Sequence, residues 1–357
     1  MKIIFIAPLS SIGGHSLVSK ILLNKLKEKN EIFPIDLSLS SNHYGYFSIN
    51  RILRVVNLLK EIFFLKNQAQ RIYLTISQSF LGNLKDIFIY ILLLDKLDKV
   101  IIHLHGGAIG ENLFNRKKYL KILNFFFYKR LKTIIISGSS HYKIFPSSLH
   151  KKIKVIQNFA QGNIFNSYKN IEKKFANHPQ LRILFLSNML PEKGYIELLH
   201  GFKLLSKKIK KNLMLEFAGK FYSIKSRKQF EFLIKNEENI IYHGEVSEKT
   251  KKNLLRNAHI FCLPTSFLER QPISIIEAYA SGCFVITSNK PGIKDIFKNG
   301  ENGVLMNKIN PLIIKRKLEN ILRDPNLCKK IAIGNRKIAG KYFKEEKYIK
   351  HIENAIF

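Results

Sequence analysis

Two carboxylates, Glu269 and Glu277, stand eight positions apart in the run LERQPISIIEAYASGCFVIT, Leu268 to Thr287. Between them, Pro272 and Ser274 sit where a helix should begin, and SIIEAYA reads as its first turns. Proline is tolerated in a first turn, where its missing N–H would have no partner anyway, and a serine hydroxyl can cap free N–H groups. Such a helix start presents unpaired donors at the positive end of the helix dipole, which makes an anion site. One acid therefore precedes an anion cradle and the other lies just inside the helix. A ligand with phosphate in its middle and hydroxyls at both ends fits that arrangement, and a nucleotide-sugar is such a ligand. The dipole alone would favour a lone first-turn glutamate by ~0.3–1 kcal/mol, so the reading depends on what accompanies the two acids.

Other residues of chemical interest lie where strands should end. Gly13-Gly14, in APLSSIGGHS, allow backbone N–H groups close to a phosphate, although the G-x-G-x-x-G spacing of a dinucleotide site is absent. His105 ends a strand-like run before Gly106-Gly107, and His103, two residues earlier, shares its face of the sheet. A histidine at that edge could bond a hydroxyl or offset charge on a reacting group. Lys193-Gly194 precedes a helical pattern, a place where the dipole disfavours a cation and so invites an anion. FAGK, Phe217 to Lys220, and YHGEVS, Tyr242 to Ser247, are further strand-end glycine loops that could hold a base through backbone contacts.

The elements that must position these residues alternate along the chain. The first half carries the strand-like runs KIIFIA, EIFPIDL, RIYLTIS, KVIIHLHG, TIIISG and KIKVIQNF, and the second carries RILFLS, LMLEFAG, NIIYHGE, HIFCLP, FVITS and GVLMN. Helical patterns such as SLVSKILLNKLKEK, INRILRVVNLLKEIFFLK and YIELLHGFKLLSKKI lie between them. Alternating strand and helix implies parallel sheets with right-handed crossovers, and continuous apolar strands imply burial on both faces. A polar, aperiodic stretch from Gln161 to Gln180 divides the series. The expected class is α/β, with two Rossmann-like doubly wound parallel-sheet domains facing across a cleft, over residues 1–165 and 166–335. An amphipathic C-terminal segment, 336–357, is expected to pack back on the first. Ligands in such sheets bind beyond the carboxyl ends of the strands.

The 357 residues include 60 Lys and Arg against 26 Asp and Glu, a formal charge of +34. An AT-rich coding bias, an anionic membrane surface and a nucleic-acid partner each account for such a charge. Two basic, aromatic segments at helical spacing bear on the second reading: FSINRILRVVNLLKEIFFLK, Phe47 to Lys66, and RKKYLKILNFFFYKRLK, Arg116 to Lys132. Interfacial helices have that make-up, as do crossover helices packed on a sheet. The longest apolar run, Ile87 to Leu94, is far below the ~20 residues of a membrane span. The start reads as a strand and not a signal peptide. Cys262, Cys283 and Cys328 show no metal or disulfide spacing, which fits a reducing cytoplasm.

Together these motifs resemble the retaining glycosyltransferases of family 4, which have the GT-B fold. The resemblance spans nearly the whole chain. Its strongest element is the E-x7-E pattern of Glu269 and Glu277 with EAYASGCFVITS; the Gly13-Gly14 loop, His105, the NF at Asn158, Lys193-Gly194 and KPGIKDIFKNGENGVL follow in the family's order. It implies that Glu277 binds the donor ribose and that Glu269 contacts the donor sugar near the anomeric centre, with Arg270, Gln271 and Pro272 around it. Lys193 and the N–H groups of Ile273 and Ser274 would hold the diphosphate, Gly14 would approach it from the other domain, and His105 would contact the transferred sugar. Gly219 and Val246 would lie near the base. A G-R pair usual in the family is replaced by Ser187-Asn188, which leaves Asn188 only hydrogen bonds to offer, and Arg270 stands where a glycine is usual.

The expected activity is transfer of a hexose or N-acetylhexosamine from a nucleotide-diphosphate sugar to a lipid-linked glycan, in surface polysaccharide synthesis. Retention of configuration comes from the resemblance alone, and a front-face route and a covalent route through Glu269 both stay open. No D-x-D motif stands in a suitable place, so no metal or other cofactor is expected. The expected partners are the donor, the glycan and an anionic membrane surface, at the cytoplasmic face of the plasma membrane. The alternatives are a GT-B sugar-nucleotide epimerase or phosphorylase, or a basic nucleic-acid-binding protein. Against the last, the basic residues spread along the whole chain with no recognisable binding motif.

Overall fold

The computed structural model describes residues 1–10, 13–38, 49–106, 109–176, 180–269 and 271–357, with Arg51 described in its backbone only. Six strands come first: β1 (Lys2–Ala7), β2 (Glu31–Asp36), β3 (Arg71–Thr75), β4 (Val100–Leu104), β5 (Thr133–Ile136) and β6 (Ile153–Val155). They pair in parallel in the order β2-β1-β3-β4-β5-β6. Six more follow: β7 (Leu181–Leu186), β8 (Leu213–Ala218), β9 (Ile240–Tyr242), β10 (Ile260–Leu263), β11 (Phe284–Ser288) and β12 (Gly303–Met306). These too are parallel, in the order β12-β11-β10-β7-β8-β9. Each of the runs expected as strands is one of these. Central strands such as Ile3-Ile4-Phe5-Ile6-Ala7 and Ile260-Phe261-Cys262-Leu263 are buried throughout, as strands covered by helices on both faces must be.

The chain divides into two units, Met1–Gln157 with Tyr348–Phe357, and Asn158–Lys347. The division therefore falls before residue 165, and the terminal segment joins the first unit from Tyr348 and not from 336. Residues 336–342 complete the helix Pro325–Tyr342, which packs on the helix Ile273–Ala280 of the second unit. In the first unit Arg71 Nε and Lys132 Nζ donate to the carbonyls of Ile356 and Phe357, at 3.0 and 3.1 Å. Cations there suit the negative end of the last helix. The stretch read as aperiodic holds a helix, Tyr168–Ala176. Ile171 is its buried residue, and Lys174 Nζ reaches the carbonyls of Ala258 at 2.6 Å and Gly282 at 2.8 Å.

Each sheet reverses its strand order once. In the first unit the reversal lies between β1 and β3, and in the second between β7 and β10. The loops leaving neighbouring strands on either side of such a point run in opposite directions and leave a crevice at the carboxyl ends. Right-handed crossovers place the helices Ile49–Leu65, Phe80–Leu92 and Lys118–Tyr128 on one face of the first sheet. Among the described residues, no helix is long and apolar enough to cross a membrane.

Candidate functional site

In the second unit the crevice between β7 and β10 is built by two loops tied backbone to backbone. After β7 the chain makes a short turn, Pro191–Lys193, and enters the helix Tyr195–Lys203 through Gly194. Gly194 has φ +80°, and a Cβ there would lie 1.9 Å from the carbonyl oxygen of Pro264 in the loop after β10. Only glycine permits both that conformation and that approach. The carbonyl of Glu192 accepts from the N–H groups of Ser266 at 2.8 Å and Phe267 at 3.1 Å, and from Thr265 Oγ1 at 3.1 Å. The two loops are thereby fixed side by side. This brings Lys193 Nζ to 2.5 Å from Glu269 Oε1, with the ammonium also 4.6 Å from the centre of the Phe267 ring. Both side chains are largely buried, Lys193 at 15% and Glu269 at 8% exposure. The sequence placed these residues in separate roles; the structure makes them a pair.

The helix after Glu269 spans Ile273–Ala280. Pro272 is its N-cap and not a first-turn residue, and no side chain caps it; Ser274 lies inside the first turn, so its expected capping role does not hold. The first helical bond runs from the Ile275 N–H to the Pro272 carbonyl at 3.1 Å, and the N–H groups of Ile273 and Ser274 precede it. Gln271 makes contacts that the sequence did not suggest. Its Oε1 accepts from the Asn158 N–H at 2.9 Å, and its carbonyl accepts from Asn158 Nδ2 at 3.0 Å, so it anchors the segment that opens the second unit. Arg270 lies outside the described residues.

Glu277 falls in the second helical turn, one turn deeper than a dipole-stabilised first-turn acid. It is buried, and its Oε1 lies 2.9 Å from Lys251 Nζ, which also reaches Glu248 Oε2 at 3.0 Å. Burial pushes the Glu277 carboxyl above the usual range, with Lys251 pulling against it. Burial would lower the Lys251 ammonium, but Glu277 and Glu248 outweigh it and the net shift is upward. Lys251 is the residue that sequence reasoning missed. It sits in the lysine-rich run KTKK of the helix Glu248–Asn257, where nothing in the spacing separates it from its neighbours.

Three further positions lie at the ends of β7, β8 and β9. Gly219 has φ +153°, and a Cβ there would be 1.8 Å from the Ser187 carbonyl oxygen. Its N–H donates to the Gly244 carbonyl and its own carbonyl accepts from the Tyr242 hydroxyl, both at 2.8 Å. Asn188 is exposed beside this junction, and Val246 is half-buried against the hydrophobic core.

In the first unit Gly13, at φ 146°, is the N-cap of the helix Gly14–Lys27 and brings no side chain to that helix start. His105 stacks on His103 with ring centres 3.7 Å apart, and His15, on the first turn of that helix, lies 4.1 Å from His105. The shared face expected for the two strand histidines is therefore a direct ring contact. Burial, with a further push from His15, lowers the fully buried His103 to about 3. Its Nδ1 is 2.5 Å from the hydroxyl of Tyr73, whose own ionisation burial pushes up, so both groups are neutral. His15 and Tyr73 had drawn no notice in the sequence. Gly107 lies outside the described residues.

Residues 166–338 match the family model described as glycosyl transferases group 1. The Campylobacter jejuni protein named GalNAc-alpha-(1->4)-GalNAc-alpha-(1->3)-diNAcBac-PP-undecaprenol alpha-1,4-N-acetyl-D-galactosaminyltransferase is 23% identical, over 99% of this chain and 100% of its own. The Staphylococcus aureus capsular polysaccharide biosynthesis glycosyltransferase CapM is 28% identical over 57% of this chain and 55% of its own. Among solved structures, Alr3699/HepE of Anabaena in complex with UDP-glucose is similar at TM-score 0.75 and 15% identity, covering 100% of this chain and 99% of that one.

Proposed function

We propose that this chain, a glycosyltransferase whose residues 166–338 belong to the glycosyl transferases group 1 family and whose two sheets form the GT-B fold, moves a hexose or N-acetylhexosamine from a nucleotide-diphosphate sugar to a lipid-linked glycan. The observation that carries the reading is the juxtaposition at the second switch point. The Lys193–Glu269 pair, the open helix start at Ile273 and Ser274, and the Lys251–Glu277 pair follow one another along that stretch. The diphosphate takes the N–H groups of Ile273 and Ser274 and draws Lys193 away from Glu269. That exchange leaves the Glu269 carboxylate facing the sugar at the bond that breaks. Glu277 accepts from the ribose hydroxyls, Asn188 offers the diphosphate a hydrogen bond, and Gly219 and Val246 border the base. Fixed cations and backbone dipoles stabilise the leaving nucleoside diphosphate, with no metal required.

The acceptor class is supported by the relatives: one is named for an undecaprenol-linked glycan and another for capsular polysaccharide synthesis. The first unit serves the acceptor. Transfer retains the anomeric configuration, and the enzyme works as a peripheral protein at the cytoplasmic face of the plasma membrane.

A thermal-shift screen of UDP-, GDP- and ADP-sugars tests the donor site. At a hundredfold excess over Kd a true donor stabilises the fold by ~2.7 kcal/mol, and the rise in melting temperature is the same with EDTA present. If no nucleotide-sugar shifts the transition, the proposal fails; if only added divalent metal restores the shift, its metal-free part fails.

The Lys251–Glu277 pair yields a sharper expectation. In Lys251→Met the buried Glu277 loses the charge that opposes its burial, so its pKa rises further above the usual carboxylate range. A protonated carboxyl is the poorer acceptor for a ribose diol. Donor affinity in the variant should therefore improve as pH rises through a range higher than that over which the wild type responds; calorimetric titration at several pH values measures this. Equal pH profiles would remove Lys251 from the site.

A further inference from the structure

Lys251 and Glu277 meet from two different helices, Glu248–Asn257 and Ile273–Ala280, so their 2.9 Å contact requires those helices to be held in register with one another. Leu254, Leu255, Ile275 and Ile276 seat the helices on the core of the second unit. Apolar burial is non-directional, however, and does not by itself fix how far each helix lies along that core. The register is set where both helices end. Lys174 Nζ donates to the carbonyl of Ala258, the C-cap of Glu248–Asn257, at 2.6 Å. It also donates to the carbonyls of Ser281, the C-cap of Ile273–Ala280, at 3.3 Å and of Gly282 at 2.8 Å. An ammonium has three N–H donors and no acceptor, so this head is spent on main chain. The carbonyls lie at the negative ends of two helix dipoles, where a cation is favoured. Cys283 Sγ adds a weaker tie, donating to the Ala258 carbonyl at 3.2 Å.

Lys174 is itself held in place. His259 Nδ1 accepts from the Arg182 N–H at 3.0 Å, so the ring proton lies on Nε2, which donates to the Lys174 carbonyl at 2.9 Å. Ile171, on the same helix, is fully buried against the turn whose carbonyls Lys174 takes: a Cβ at Gly282 would stand 2.3 Å from Ile171 Cδ1. Burial pulls the Lys174 ammonium below the usual lysine range, so the charge is kept there only because the carbonyls offset its loss of water. From this clasp to the carboxylate is one helical turn, since the Ser281 N–H donates to the Glu277 carbonyl at 3.0 Å.

We infer that Lys174 is a positioning residue of the donor site: by clasping the ends of both helices it sets the geometry of the Lys251–Glu277 pair, and with it the grip on the ribose. The inference rests on the ribose role proposed above for Glu277 and extends that site to a side chain that ends on main chain.

The experiment compares the full chain with Lys174→Met, which keeps an unbranched side chain and removes the three donors. Calorimetric titration uses UDP, GDP and ADP, each against its 2′-deoxy form. The wild type should prefer the ribose form of the nucleotide it binds by about tenfold or more, the worth of a hydrogen bond to a charged group. Lys174→Met should lose most of that preference. Its donor KM should rise while turnover at saturating donor is kept, as a loss of uniform binding requires. Ile171→Val thins the packing of the same helix and leaves the three carbonyls tied, so it should lower the melting temperature and keep the wild-type preference; a lysine that only supported the fold would behave the same way. Crystal structures read the position itself, and the Lys251–Glu277 contact should open beyond hydrogen-bond distance in Lys174→Met. The proposal is overturned if that variant keeps the 2.9 Å contact, and equally if it keeps the wild-type ribose preference. A contact that opens in a chain whose wild type binds no nucleotide, or binds ribose and deoxyribose forms alike, upholds the clasp and refutes the ribose role of Glu277 alone. Should Lys174→Met not fold, Lys174→Gln, whose amide keeps two donors for these carbonyls, is measured in its place and scored by the same outcomes.

Discussion

Glu269→Gln should lower the turnover of transfer by about two to three orders of magnitude, the scale set by removing one charge-stabilising group from a preorganised site. It should leave the affinity for the nucleoside diphosphate equal or higher. The two effects have opposite signs for one reason. In the structure Lys193 is held by Glu269 at 2.5 Å, so the carboxylate competes with any incoming diphosphate for that ammonium. Glutamine keeps the shape and removes the competitor, and it also removes the charge that faces the anomeric carbon. The fold should tolerate the change, because Glu269 lies in a loop and Lys193 keeps its place against the Phe267 ring, a contact worth ~0.5–1 kcal/mol at exposed sites. Turnover with a lipid-linked acceptor and calorimetric titration of UDP measure the two quantities. A residue that merely anchored Lys193 would give the reverse pattern, with normal turnover and weaker nucleotide binding, and that outcome would sink the assignment.

The central strands were legible because each is a short β-branched or aromatic run buried on both faces, and burial of that kind leaves its mark on consecutive residues. Lys193 and Glu269 were legible one at a time, through glycine and proline punctuation, but their pairing was not. It arises from the Glu192 carbonyl, which accepts from Thr265 Oγ1 and from the N–H groups of Ser266 and Phe267 more than seventy residues away, and a main-chain acceptor leaves no mark on the residue type at position 192. Lys251 was illegible for a related reason: in a chain with 60 basic residues, one lysine on a polar helix stands out only when its tertiary partner is known. Tyr168–Ala176 hid its helix because only two apolar residues, Ile171 and the partly buried Phe175, seat it, with Lys174 reaching backbone carbonyls beside them. Gln271 was legible only through its neighbours, and the fold adds that its Oε1 accepts from the Asn158 N–H.

The backbone logic of the site leads to the second large effect. Gly194→Ala should lower activity by about a hundredfold, the loss expected when reacting groups are misplaced by roughly 1 Å. An alanine Cβ at this position would stand 1.9 Å from the Pro264 carbonyl oxygen, which is backbone and cannot rotate away. One of the two loops must therefore move by more than an ångström, and these are the loops that carry Lys193 and Glu269. Left-handed backbone adds ~1–2 kcal/mol for a residue with a Cβ, so the melting temperature should fall as well. Gly244→Ala separates strain from displacement. Gly244 has φ +70°, yet its added Cβ would meet nothing within 4 Å. That variant should share the loss of stability and keep its catalytic geometry. Turnover, nucleotide affinity and melting temperature measured on both proteins decide the matter. If Gly194→Ala transfers sugar as fast as Gly244→Ala, the contact between the loops after β7 and β10 does not set the position of the paired residues, and the reading of this crevice as the reacting site loses its geometric basis.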